Sequence, residues 1–169
     1  MAYGKNGSIN LKAKADMFEF IFKAKSTVQE LTKAVMIEIG TRIVNRSIVG
    51  NPKYWHPPRW PKNYHPGKFI NNWQVGIDSI PNTRIQISDP SGAGSLERLS
   101  HLGRWQVGHT FYFVNNMPYA RLLEHGMHSW RQRALAPQGI IGMTRLEFKQ
   151  IVQDVQINYA VRRFKAFGS

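Results

Sequence analysis

The sequence predicts an α+β domain. An antiparallel β-sheet of three to four strands packs against a long N-terminal helix and a long C-terminal helix, and an extended Pro/aromatic loop joins the first helix to the sheet. Three observations carry this reading. Apolar residues recur every three or four positions over 26–48 and 140–167, the period of a helix. They alternate over 69–77, 83–88 and 104–114, the period of a strand. The length of 169 residues suits one domain with a core of its own.

Residues 1–25 form a basic N-terminal arm or a short helix, with Asp16 as a candidate cap ahead of Met17, Phe18 and Phe20. Ser26 is the candidate N-cap of the next helix, 26–48, whose Val28, Leu31, Val35, Ile39 and Ile43 share a face. Gly50-Asn51-Pro52 ends it. Residues 51–68 are too rich in proline for helix or central strand, because proline fixes φ and removes a donor. The loop nevertheless carries Tyr54, Trp55, Trp60 and Tyr64, so it either folds back on its own domain or docks on a partner.

The first strand, 69–77, sets Trp73, Val75 and Ile77 on one side, and the second, 83–88, aligns Ile85 with Ile87. A tight turn at Ile80-Pro81-Asn82 would pair them antiparallel. Residues 89–102, with Pro90, Gly92 and Gly94, read as a mobile excursion. The third strand, 104–114, places Trp105, Val107, His109, Phe111 and Phe113 together, with His109 as a hydrogen-bonded, partly buried imidazole. Pro118 opens a short helix over 118–125 that Gly126 stops. An Arg-rich loop leads to the helix 140–167, which ends in Arg162, Arg163 and Lys165.

The chain carries 23 Lys and Arg against 10 Asp and Glu, a net charge of +13. The excess sits in 1–68 and 121–169, while 69–120 is balanced. Such a field draws polyanions, nucleic acid or an acidic protein surface, or is an ordinary solvated basic surface. With no Cys there is no disulfide framework, thiolate metal site or Cys nucleophile. No apolar run approaches the ~20 residues that span a bilayer. The first ten residues lack an apolar stretch after Lys5, so no signal peptide is expected and synthesis in the cytosol is.

Catalytic patterns are poor. His56, His65, His101, His109, His125 and His128 show no metal-ligand spacing. No Ser lies in a nucleophile elbow, and Ser91-Gly92-Ala93-Gly94-Ser95 lacks the Lys of a phosphate loop. Asp78 and Asp89 stand apart at strand ends and read as turn formers. No cofactor, metal or catalytic residue is expected.

Residues 114–144, VNNMPYARLLEHGMHSWRQRALAPQGIIGMT, run from a strand through Asn115/Asn116, Pro118, Tyr119 and Ala120 to Leu123, Glu124 and Gly126. They continue to Ala136, Pro137 and Gly139 at the start of the last helix. This order resembles the tail-component family of tailed bacteriophages, the head–tail joining or tail-completion (neck) proteins. That family runs from a strand into Asn-x-x-Pro-Tyr-Ala, a Leu-Glu-x-Gly turn and a loop ending in Ala-Pro. Upstream, Pro66-Gly67-Lys68-Phe69-Ile70-Asn71-Asn72-Trp73 is similar to the family's Thr-Gly-x-Leu and polar-aromatic strand, with Pro66 in place of the Thr. The resemblance covers residues 26–155.

What the resemblance implies is a non-enzymatic virion protein made in the host cytoplasm. It would form a hexameric ring between the head connector and the tail tube, with portal-side adaptor proteins, tail tube proteins and passing genomic DNA as partners. The related tail terminator ring and a free basic DNA-binding protein are the alternatives. Subunit or partner contacts are expected at Tyr54, Trp55, Arg59, Trp60, Tyr64, Tyr119, Glu124, Arg131 and Arg133. Contacts with channel DNA or an acidic partner are expected at Lys5, Lys12, Lys14, Arg162, Arg163 and Lys165. Glu124 ends a short helix, where the dipole disfavours an acid. It therefore needs a cation or backbone donor, supplied within the chain or across a subunit boundary.

Overall fold

A computed structural model describes residues 11–50, 65–125 and 138–167. The protein mixes helix and sheet. A long helix α1 (Leu11–Arg46) and a pair of C-terminal helices, α4 (Ile140–Leu146) and α5 (Phe148–Phe167), flank a two-stranded antiparallel sheet. Two further helices, α2 (Ala93–Leu99) and α3 (Ala120–His125), close the body.

From Leu11 on, the N-terminal segment and the following helix are one element, not two. No Gly or Pro falls between residues 11 and 39, so nothing interrupts the backbone ladder. Ser26 caps nothing; its hydroxyl donates back to the Lys23 carbonyl at 2.9 Å. The C-terminal helix departs in the other direction. It breaks at Glu147, whose φ of −85° and ψ of 0° separate α4 from α5.

The sheet is smaller than expected. Strand β1 (Trp73–Ile77) follows a 3-10 turn at Ile70–Asn72, and it pairs with β2 (Phe111–Asn115) rather than with residues 83–88. In the register Trp73 lies opposite Asn115 and Ile77 opposite Phe111. Residues 83–88 form no ladder, because side-chain amides take their backbone groups. Asn72 accepts from the Ile85 N–H at 2.9 Å and donates to its carbonyl at 2.8 Å. Gln74 donates to the Thr83 carbonyl at 2.8 Å, and Asn71 to that of Ile87 at 3.1 Å. Residues 104–110 are not strand either. A 3-10 turn at Ser100–Arg104 runs into a loop in which the Trp105 indole donates to the His109 carbonyl at 2.8 Å.

The expected excursion over 89–102 is ordered structure. The Asp89 carboxylate accepts from the Ser91 and Gly94 N–H groups at 2.9 and 3.0 Å, which starts α2. Leu99 and Leu102 are buried. Arg98 reaches inward to bond the carbonyls of Trp73, at 2.9 Å, and Asn71, so α2 is stitched to the start of β1. Burial lowers the Arg98 pKa, against the opposing pull of the Glu97 and Asp89 carboxylates.

One core joins these layers. Ile43, Val44, Phe69, Ile70, Trp73 and Ile140 are buried together, and Phe113, Tyr119 and Leu123 pack against them. The Trp73 ring stacks on Phe113 at 5.0 Å between centroids, and its indole N–H donates to the Ser47 hydroxyl at 2.7 Å. That bond satisfies the one polar atom of a side chain otherwise sealed from water.

Candidate assembly surface

Of the residues singled out in 114–144, Gly126, Ala136 and Pro137 lie outside the described residues, and the rest tie the end of β2 and α3 to the body. Asn115 donates to the Phe69 carbonyl at 2.9 Å and accepts from the Met117 N–H at 3.2 Å. Asn116 donates to the Pro81 and Thr83 carbonyls at 2.8 and 2.9 Å. The two amides thus fasten the end of β2 to both ends of the segment it pairs with. The chain then turns into α3, where Tyr119 is half-buried with its ring 6.1 Å from Phe69.

Glu124 completes the clasp. One carboxylate oxygen accepts the N–H groups of Ile140, at 2.7 Å, and Ile141, at 3.0 Å; the other accepts Gly142 at 2.9 Å. A helix leaves its first N–H groups unpaired, and here an acid from the end of a different helix caps α4. Backbone donors of the same chain therefore provide the compensation that Glu124 needs. Gly139 makes the approach possible. Its φ is +84°, and a Cβ there would stand 2.5 Å from the Glu124 Oε1.

A second cluster anchors the C-terminal helices on α1. Arg42 bonds Glu38 at 2.8 Å, Glu147 at 3.0 Å and Asp154 at 3.2 Å, while Arg46 bonds Glu147 at 2.5 Å and Thr144 at 2.9 Å. Bonds to Glu38 and Glu147 raise the Arg42 pKa, and Arg46 and Arg42 together hold Glu147 below the usual carboxylate range. At the far end of β1, Asp78 takes φ +58° and accepts from Thr110 N–H at 2.8 Å and bonds His109 Nδ1. His109 is exposed rather than partly buried. These two contacts, His109 first, lower the Asp78 pKa.

The surface presents an apolar projection. In the N-terminal part of α1, Phe18, Phe20 and Phe22 are 66%, 73% and 73% exposed, and Met17, Ile21 and Val28 are more than half exposed. The sequence reading took this segment as a separate short helix or arm and missed that it runs unbroken into the next helix. The absence of any Gly or Pro between Leu11 and Gly40 was the available clue.

Of the expected contact residues, Tyr119 and Glu124 are spent on the body as described. Lys14 and Arg162 are exposed on α1 and α5. Lys12, Arg163 and Lys165 lie within those helices, and their side chains fall outside the description. Lys5, Tyr54, Trp55, Arg59, Trp60, Tyr64, Arg131 and Arg133 lie outside the described residues. Among the described residues no cluster of three or more His, Cys, Asp or Glu could hold a metal ion, and no helix is long and apolar enough to cross a membrane.

Fold and surface together define a mixed α/β body, closed by a carboxylate clasp, from which an apolar helical arm projects. No family model, curated protein or solved structure matches the chain.

Proposed function

We propose that this chain is a structural protein of a tailed-bacteriophage neck, made in the host cytoplasm and carried in the virion. In this reading it forms a hexameric ring that joins the DNA-filled head connector to the tail tube, and it performs no catalysis. Portal-side adaptors and tail tube proteins bind its rims, and genomic DNA passes non-specifically. Heterologous contacts that close by rotation generate such a ring.

The observation that carries the reading is the convergence of the resembling residues. Asn115 and Tyr119 fasten the end of β2 and α3 to Phe69, Glu124 and Gly139 join α3 to α4, and the Asn115 amide and Glu124 carboxylate go to backbone partners rather than to an open cleft. A motif spent on backbone geometry suits a protein selected for shape. The net charge of +13 suits weak phosphate contacts, which must let DNA slide.

The test is imaging of intact particles together with deletion of the gene. Filled heads and free tails should accumulate without the protein, and a ring of this chain should lie between portal and tube. Particles that join and infect normally in its absence would refute the reading. The charge also favours a second reading, a free basic DNA-binding protein. DNA binding that persists at about 0.5 M salt, beyond the range where phosphate contacts survive screening, would favour that one instead.

A further inference from the structure

We infer that the N-terminal part of α1 is a self-association surface whose occupant is the same arm of a second copy of this chain. The inference goes beyond the neck reading and does not depend on it.

Met17, Ile21, Ala24, Val28, Leu31 and Val35 succeed one another at alternating steps of four and three, the spacing of a coiled-coil seam. Among the described residues, the chain covers only the lower part of this seam. Leu31 and Val35 are half-buried where α5 lies along α1, with the Tyr159 hydroxyl donating to Glu30 at 2.7 Å. Above that point Val28, Ile21 and Met17 are 56%, 51% and 53% exposed. Phe18 and Phe20 flank the seam on either side, so the apolar surface spans about half the circumference at roughly 3.6 residues per turn.

The described body does not reach this surface. At a rise of about 1.5 Å per residue, Ile21 stands about 30 Å along the helix from Ile43 in the core. With no Gly or Pro before Gly40, α1 has no built-in hinge to fold the arm back.

Area and charge identify the occupant. Phe18 and Phe20, at about 200 Å² each, leave about 280 Å² in water, and Met17, Ile21 and Val28 bring the patch to about 550 Å². That is near the top of the range for the largest patch a typical monomer exposes. Two such patches facing each other bury about 1,100 Å², above the about 1,000 Å² that a specific interface should clear.

Residues 14–25 hold Lys14, Lys23 and Lys25 against Asp16 and Glu19, a net +1 in a chain of +13. This is a place where two strongly cationic copies can meet with little repulsion. Nucleic acid or an anionic bilayer would meet nearly balanced charge there rather than a strongly basic face. A second copy brings an identical seam of matching length and spacing.

Sedimentation velocity of the full-length protein between about 1 and 100 μM tests the inference. The wild type should shift from monomer to dimer across that range. Ile21→Asp should weaken the dimer at least about tenfold while circular dichroism keeps the helical signal. Phe22→Ser, at a residue more exposed than Ile21 but off the seam, should still dimerise. A wild type that stays monomeric throughout would overturn the inference, and so would an Ile21→Asp variant that dimerises normally. Binding of the wild-type arm to phosphatidylglycerol vesicles with no dimer in solution would overturn it in favour of a lipid partner. A chain that dimerises through the arm yet is missing from virions would leave the inference standing and remove the neck reading alone.

Discussion

Removing the Glu124 carboxylate should destabilise the body by an amount the clasp geometry allows to be worked out. Glu124→Ala leaves three N–H groups of α4 without their acceptor. Ile141 is exposed and Gly142 half-buried, so water replaces most of what those two lose. Ile140 is 2% exposed, and its N–H is stranded. A lost bond to a charged acceptor at a buried donor costs about 2 kcal/mol, and the weaker cap adds about 0.5–1 kcal/mol, for a total of about 2–3 kcal/mol. For a chain of this size that lowers the midpoint of thermal unfolding by about 6–9 °C. Glu124→Gln keeps one acceptor oxygen but loses the charge, so it should fall between wild type and Glu124→Ala. Urea titration followed by tryptophan fluorescence, with Trp73 in the core as reporter, measures both. A Glu124→Ala protein within about 0.5 kcal/mol of wild type, or a Gln variant worse than Ala, would show that the carboxylate is not what holds α4.

Three further outcomes follow from neighbouring geometry. Gly139→Ala forces a side chain into φ +84° and against the Glu124 carboxylate, and should cost about 2–4 kcal/mol in urea titration. Combined with Glu124→Ala it should cost less than the sum, because the carboxylate it strikes is gone. Asn72→Ala removes three bonds from a fully buried amide, to Lys68 and to both backbone groups of Ile85. It should lose about 3 kcal/mol and accelerate hydrogen exchange at the Ile85 N–H, read by NMR or mass spectrometry. Arg46 and Arg42 lower the Glu147 pKa, so the stability this group adds is present above the ordinary carboxylate value of about 4.3 and is lost as pH falls through the lowered one. Glu147→Gln should therefore lower stability at neutral pH and flatten the acid limb of a plot of urea midpoint against pH; an unchanged limb would count against the ion-pair cluster.

The helices were legible because their period is local. The 3-to-4 spacing from Val28 to Ile43 gave the lower part of α1, and Pro118 and Gly126 bracketed α3 to within two residues. Strand pairing was not legible, since alternation at Ile85 and Ile87 looks the same whether the neighbour is a strand or a row of amides. What decided it was the run Asn71, Asn72 and Gln74, whose amides copy a backbone edge, and no local propensity marks them for that role. The α2 helix was hidden for a related reason. Its glycines argue for a loop, and only Asp89 capping the turn and Arg98 plugging into Asn71 and Trp73, more than twenty residues back in the chain, offset them. At Glu124 the sequence showed that an acid in an unfavourable dipole needed a partner. It could not show that the partner was the start of α4, sixteen residues on.

The polar and apolar surfaces of this chain are resolved to different degrees, and the contrast bears on function. Its described polar machinery is largely self-contained: Arg98, Asn72, Glu124 and the Arg42–Glu147 cluster find partners inside one copy. Its apolar seam is not. The lower half is covered by α5, and the upper half, with three phenylalanines beside it, faces water. A buried phenylalanine is worth about 1.5–3 kcal/mol over an exposed one, so leaving this group uncovered forgoes several kcal/mol in a fold that holds only about 5–15 in all. A helical extension of that kind also lacks tertiary support for its own backbone, and packing rather than propensity supplies most of a helix's stability in a protein. Both deficits are removed by one event, the burial of the arm against another molecule. That is the physical ground of the self-association inferred for the N-terminal part of α1.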